Sequence, residues 1–281
     1  MIYLMTLNRQ IMPITLTTIL HLTFLGLFTP GFFSASLSIP SRPSASDLAP
    51  VRPVVLELFT SEGCSSCPPA DAFLKHLDDT GRVENVEIIA IEEHVDYWDR
   101  LGWIDPFSSR DWTERQQQYA RSFRHDGVYT PQLIVNGSRE LVGSSAREAR
   151  QNILEAAKMP GADVQLSITS ASSKAVDFSI GVSNTPPESR SAEVWLAVVE
   201  RNLSSHVLTG ENQGRNLAHA AILRKLTRLK PKQPNVSDPA ALKATVSLDP
   251  TWKRENLRFV VFLQEPKTLQ IFGAAAASFS R

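Results

Sequence analysis

Thr60-Ser61-Glu62-Gly63-Cys64-Ser65-Ser66-Cys67-Pro68-Pro69-Ala70-Asp71 contains the only two cysteines of a 281-residue chain, in C-x-x-C spacing. Upstream, Val54-Val55-Leu56-Glu57-Leu58-Phe59 is a short apolar run that reads as a buried strand. Downstream, Ala70, Phe73, Leu74 and Leu77 fall at i, i+3, i+4 and i+7, one face of a helix. A cysteine pair at a strand-to-helix turn is the pattern of redox chemistry. The prolines place the helix start, because proline is tolerated only where helical N–H groups lack a partner. With Ser66 as N-cap, Cys67, Pro68 and Pro69 take the first three positions. Cys64 then stands just outside the positive end of the helix, where dipole and free N–H groups favour a thiolate. Cys64 is therefore expected to be the attacking thiol, and Cys67 the less exposed resolving one.

A structural disulfide is the plain alternative. A cross-link stabilises through the loop it closes, and a four-residue loop is worth roughly 2 kcal/mol against about 3 for fifteen residues. As the single staple of a long chain the pair is poorly placed. Zinc is disfavoured, because no second cysteine pair completes four ligands.

Basic and acidic residues balance at 29 each, so nothing points to nucleic acid. Arg9 is followed by a stretch without Asp, Glu, Lys or Arg as far as Arg42; Ile11 to Phe33 is mostly apolar and Ser34-Ala35-Ser36 supplies small residues. This reads as a secretory signal over residues 1–38, with membrane contact only if it stays uncleaved as an anchor. A flexible Ser- and Pro-rich lead-in covers 39–52. Export, to a periplasm or the extracellular space, places the cysteines where disulfides persist.

Further along, Val86 to Ile91 is a second apolar strand, with Gly81 ending the helix before it. A Trp-bearing segment, 94–127, includes a polar helix from about Asp111 to Phe123 with Trp112, Gln116, Tyr119 and Phe123 along one side. Trp98, Trp103 and Trp112 are candidates for a peptide groove or for a small local core. Glu92, Glu93, His94 and Asp96 carry metal-ligand chemistry, but strand alternation sends neighbours to opposite faces, so no metal is expected. Leu133-Ile134-Val135 runs into Asn136-Gly137, a type I′ hairpin signal, with Arg139 to Val142 returning. Ser145 and Glu148 form a capping box for a helix to about Lys158.

The order β, α, β, α, β, β, α, with Cys-x-x-Cys closing the first strand and Thr130-Pro131 opening the third, resembles the thioredoxin fold. Phe59 through Asp71, together with Thr130-Pro131-Gln132, is similar to a family of exported thioredoxin-like proteins, mainly bacterial, catalogued as a domain of unknown function. The resemblance implies an α/β thioredoxin-like domain over 53–160, with 94–127 inserted. It also implies a cis Pro131 lying against the cysteines, where the backbone of Thr130 pairs with a bound peptide. The chain departs from thioredoxin in its Ser-Ser dipeptide between the cysteines and in the absence of a Trp before Cys64.

From residue 161 the texture changes to short strand-like runs, Val164–Thr169, Val176–Val182, Val194–Arg201, Ala244–Leu248, Leu257–Gln264 and Leu269–Ala274. They suggest a mostly antiparallel β-sandwich over 161–281. Ile222 to Leu229 suits either strand or helix. The polar loop Gly210 to His219 looks like the same family's second-domain signature; it either offers Glu211, Arg215 and His219 as polar contacts to the cysteine site or is a structural loop bonding its own backbone. Glu62, two residues before Cys64, is placed either to raise its thiol pKa or to face solvent. The expected function is thiol–disulfide exchange with thiols or disulfides of other exported proteins through Cys64 and Cys67, drawing on an unspecified electron donor or acceptor, with no cofactor. The alternatives are a Cu(I) metallochaperone and a redox-inactive thioredoxin-like binding module.

Overall fold

In the computed structural model of the chain, which describes residues 52–229 and 242–279, the first half alternates apolar strands with amphipathic helices. β1 (Val54–Thr60) is buried along its whole length. α1 (Pro68–Thr80) follows and ends at Gly81, whose φ of 69° is the left-handed C-cap that glycine adopts without strain. The N-cap is Cys67 rather than Ser66. The carbonyl of Cys67 takes the first intrahelical bonds, from Ala70 and Asp71, so the prolines hold the first two helical positions, where no N–H is needed.

β2 (Arg82–Val83) turns back onto β3 (Val86–His94), which lies parallel to β1 with Thr60 opposite His94. After α2 (Arg110–Phe123) come β4 (Gln132–Val135), β5 (Arg139–Val142) and α3 (Ala146–Ala156). Asn136 and Gly137 make the β4–β5 turn with φ of 45° and 64°, the paired positive values of a type I′ hairpin. The Ser145–Glu148 capping box does not form. Ser145 sits at ψ 69°, tied by its own N–H to Val142, instead of in the extended conformation that aims a hydroxyl at the helix, and it caps nothing.

The second half contributes β6 (Asp163–Ala171), β7 (Ala175–Ser183), β8 (Glu193–Arg201), β9 (Ser204–His206), β10 (Asn216–Ala218), β11 (Ala221–Leu229), β12 (Leu242–Ser247), β13 (Leu257–Gln264) and β14 (Ile271–Ser278). Ile222 to Leu229 is thus strand. β7 packs Val176, Phe178 and Ile180 on Leu196 and Val198 of β8 and Phe259 and Val261 of β13, so two sheets do lie face to face. One of those layers continues into the first half. The large mixed sheet runs β14-β13-β8-β11-β3-β1-β4-β5, with β2 beside β3, while β12-β7-β6 forms the smaller layer. Leu56, Ile88, Val199 and Phe262 accordingly share one core. No break in the sheet falls between residues 160 and 161, and the described residues belong to one compact unit.

The halves join where β11 runs parallel to β3 through a single register pair, Ile222 with Glu92. The leader expected over 1–38 lies outside the described residues, as does the 39–52 lead-in apart from Arg52. Among the described residues no helix is long and apolar enough to cross a membrane.

The β4–β5 turn also ties the halves together. Asn136 Oδ1 accepts from Val55 N at 2.8 Å, and Asn136 O accepts from Ile271 N at 2.9 Å. A Cβ on Gly137 would lie 1.9 Å from the Leu269 carbonyl, whereas at Gly214, with φ of 80°, it would meet open space. Gly214→Ala is expected to cost only left-handed strain, about 1 kcal/mol, and Gly137→Ala clearly more, at least about 2 kcal/mol. Urea denaturation of both variants checks this; equal losses would refute it.

Candidate functional site

The chain leaves β1 at Thr60, turns through Ser61 to Ser66, and enters α1, which brings Cys64 and Cys67 into a disulfide with a Cα–Cα distance of 5.4 Å. Ser65 and Ser66 between them are exposed, but both cysteines are 0% exposed. The expectation of a solvent-reachable Cys64 is therefore corrected. The cover is the tip of the β9–β10 hairpin. Asn212 Nδ2 donates to Glu62 O at 2.8 Å and to Cys64 O at 2.9 Å, and Glu211 accepts from Ser65 N at 3.2 Å. Glu211 thus meets the motif, and the Ser65 side chain and then its N–H hold the carboxyl below the usual range. Arg215 is exposed, and its backbone carbonyl closes the hairpin onto Val207 N. The strongest contact, Asn212, lay inside the quoted loop without being singled out.

The Thr130–Pro131 peptide is cis. Trp98 Nε1 donates to Thr130 Oγ1 at 2.9 Å, and a Cβ on Gly63 would lie 3.1 Å from Trp98 Cβ, so the indole stands between the residue before Cys64 and the Thr-Pro corner. A Cβ on Gly143 would reach Ala70 of α1 at 2.9 Å and Pro131 at 3.3 Å. The corner lies beside the first turn of α1. The three candidate tryptophans part company: Trp98 serves this contact, Trp103 Nε1 donates to Glu62 Oε2 at 2.8 Å, and Trp112 enters the main core.

Behind the disulfide is a buried ionic ring. Glu62 does not face solvent; it is 0% exposed, and its carboxylate accepts from His219 Nε2 at 2.8 Å and from Ser205 Oγ. His219 Nδ1 meets Glu92 Oε1 at 2.8 Å, and Glu92 Oε1 meets His94 Nε2 at 3.3 Å. His94 Nδ1 meets Asp105 Oδ2 at 2.7 Å, and that oxygen accepts from Glu62 N at 2.8 Å, closing the circle. Burial disfavours a charged imidazole, but Glu92 and then Glu62 outweigh it and push His219 up to about 9. His94 is raised likewise by Asp105, against burial. Burial also opposes ionisation of Glu92, but His219 and His94 hold it well below the carboxylate range. Glu93 points the other way, toward Arg115 Nε at 3.5 Å. Alternation along β3 was legible and scatters Glu92 from Glu93, but it also puts Glu92 and His94 on one face.

Asp71, one turn beyond Cys67 in α1, is also buried and accepts from Thr60 Oγ1 at 2.6 Å. Burial and then the charge of Glu92 raise its carboxyl to about 7. An acidic residue in the first turn of a helix is ordinarily a dipole partner, so nothing in the sequence marked it as neutral.

The family described as a protein of unknown function, DUF1223, matches residues 55–264, and the chain belongs to that family. No curated protein matches it. Among solved structures, AGR_C_4864 from Agrobacterium tumefaciens is similar at 24% identity over 83% of this chain and 97% of its own, with a TM-score of 0.60. HBP35 of Porphyromonas gingivalis is similar at 13% identity over 81% of this chain and 75% of its own, with a TM-score of 0.57. These likenesses speak for a shared fold alone.

The raised carboxyl of Asp71 carries a pH signature. A group that stays protonated in the fold up to about 7, against 3.8 in the unfolded chain, contributes stability that is full below 3.8 and is lost as pH rises through about 7. Asp71→Asn, neutral throughout, is expected to flatten the fall in stability between pH 5 and pH 8 as measured by urea denaturation. An unchanged slope would show that Asp71 is not the titrating group.

Proposed function

We propose that this member of the DUF1223 family is an exported, thioredoxin-like protein that exchanges disulfides with other exported proteins through Cys64 and Cys67. One observation carries the proposal: the C-x-x-C pair closes a disulfide at the mouth of α1, beside the Thr130–Pro131 corner. The order β1-α1-β3-α2-β4-β5-α3 supports the thioredoxin-like part. The leader sequence supports export, to a compartment where disulfides last.

In the reduced protein the Cys64 thiolate attacks a substrate disulfide, forming a mixed disulfide and releasing one substrate thiolate. The Cys67 thiolate then attacks Cys64 Sγ, releasing the second substrate thiolate and restoring the Cys64–Cys67 bond. The substrate gains two electrons and the protein loses them; the reverse sequence oxidises a substrate dithiol. Asp71, poised near neutrality one turn from Cys67, suits the proton that leaves or returns with the thiols. Thr130 offers backbone to an extended substrate segment. Access requires the hairpin tip to lift from Cys64.

The complete burial of both sulfurs favours a second function, a redox-inactive thioredoxin-like binding module in which the disulfide is structural. Reduction kinetics separate the two. Asn212→Ala removes two hydrogen bonds from the cover, so its disulfide is expected to be reduced by dithiothreitol roughly tenfold faster than wild type, in line with about 1.4 kcal/mol of lost closure. Cys67→Ser is expected to trap mixed disulfides with exported proteins, and Cys64→Ser to abolish insulin reduction. A wild-type disulfide that opens only on global unfolding, with no trapped partner, sinks exchange and leaves the binding module.

A further inference from the structure

We propose that Glu92 Oε1, His94 Nε2 and His219 Nδ1 form a binding site for one divalent transition-metal ion of the zinc type, behind the disulfide and independent of its sulfurs. These three donor atoms lie within 4.8 Å of one another, and their residues are fully or almost fully buried. His94 Nε2 stands 3.3 Å and His219 Nδ1 2.8 Å from the same oxygen, Glu92 Oε1, so both imidazoles present an inward nitrogen to one carboxylate.

The shell around the three is that of a metal site. Metal-binding histidines donate their outer ring nitrogen to a carboxylate or carbonyl, which fixes tautomer and ring orientation. Both histidines do so here, His94 Nδ1 to Asp105 Oδ2 at 2.7 Å and His219 Nε2 to Glu62 Oε1 at 2.8 Å. The outer carboxylates are themselves held: Asp105 accepts from Glu62 N and from Phe107 N, at 2.8 and 2.9 Å, and Glu62 accepts from Trp103 Nε1. The second oxygen of Glu92 accepts from Ala220 N at 2.6 Å. Every outward polar atom of the triad thus has a partner, and the inward ones have only each other. Phe107 packs edge-on against both imidazoles, at 5.5 and 5.3 Å between centroids, and walls the site.

Donor chemistry selects the ion. Two imidazoles and one carboxylate suit zinc-like divalent ions and leave a further coordination position open. A soft monovalent ion such as Cu(I) prefers sulfur, which this site lacks. Charge agrees. Each imidazole sits between two carboxylates and bonds both only when both its nitrogens carry protons. Exchanging the two inward protons for one doubly charged ion leaves the buried charge unchanged, so no new counter-charge has to be buried. Glu92 and His94 come from β3 and His219 from the end of the covering hairpin, so a bound ion would fasten that hairpin's base.

The test uses the full chain produced in medium supplemented with Zn2+ or Co2+, which bypasses slow entry into a buried site, followed by chelator washing. Wild type is expected to retain close to one equivalent by elemental analysis, and the Co2+ form to show visible d–d absorption without thiolate charge transfer. The Cys64→Ser/Cys67→Ser variant is expected to retain the same equivalent, which separates this site from copper or zinc held by the cysteines and leaves it standing whatever the fate of disulfide exchange. Glu92→Gln, near-isosteric and checked for folding by circular dichroism, is expected to lose retention, as is His94→Gln. Retention far below one equivalent in folded wild type, or equal retention in both variants, overturns the proposal.

Discussion

A carboxylate buried to zero exposure at the end of a strand has to be answered by other groups, and Glu92 is answered from both halves of the chain. It takes the imidazole of His94 from its own strand, the imidazole of His219 from 127 positions away, and the N–H of Ala220. Those bonds set the start of β11, which is why β11 meets β3 at Ile222 and the mixed sheet carries on from one half into the other. They also bring down the hairpin that ends at His219. With the hairpin docked, Asn212 reaches the carbonyls of Glu62 and Cys64, and the disulfide is closed from solvent. Sheet continuity, hairpin position and sulfur burial follow from satisfying one charge.

The opposite face of the same strands is built on the same rule with different residues. Glu57 of β1 accepts from Arg115 Nε at 2.7 Å and from Tyr119 Oη, while Gln264 of β13 donates to Tyr119 Oη at 3.0 Å. Glu93 lies beside this pair with neither oxygen hydrogen-bonded, its nearest cation Arg115 Nε at 3.5 Å, and burial, against the pull of Arg115, raises it well above the carboxylate range. One guanidinium cannot answer two carboxylates in a dry interior, so one carboxyl stays protonated. β3 thus presents ionised carboxylate to one side and neutral acid to the other at adjacent residues, which only an extended backbone allows.

Those contrasts explain what the sequence made legible. Local signals were readable because their physics is local: Gly81 as a left-handed cap, Asn136-Gly137 as a type I′ turn, prolines confined to the first helical turn. The strand before the cysteines was readable from an unbroken apolar run. β3 was underestimated because its last three residues, Glu92 to His94, are polar yet buried, and a hydropathy pattern ends where their partners take over. Those partners are Asp105 in the loop before α2, Arg115 on α2, and His219 at the end of the hairpin. The cover over Cys64 was hidden for the same reason, since the bond from Asn212 spans 148 positions and Asn in a Gly-punctuated loop reads as ordinary turn chemistry. His219 was singled out, but as a polar contact to the cysteine site, because nothing in the sequence says that a loop histidine is buried between two carboxylates.

The burial of the disulfide is compatible with access only if the hairpin opens unequally along its length, and its bonds are arranged that way. The base is expensive: freeing His219 strands two buried carboxylates, and breaking such pairs costs about 3–5 kcal/mol. The tip is cheap. Among the described residues it is held to the motif by the two bonds of Asn212 and the exposed contact of Glu211, with Thr209 bonded to Gly102 O at its flank. The two neutral bonds of Asn212 are worth about 1 kcal/mol each, and the Glu211 contact, charge-assisted but exposed, is screened by solvent. The proposed exchange would therefore be served at least cost by lifting the segment 207–214 about a fixed His219; Gly210 and Gly214 hold positive φ within it. Such a motion would bare Cys64 for the proposed exchange while leaving the bonds of the ionic ring in place.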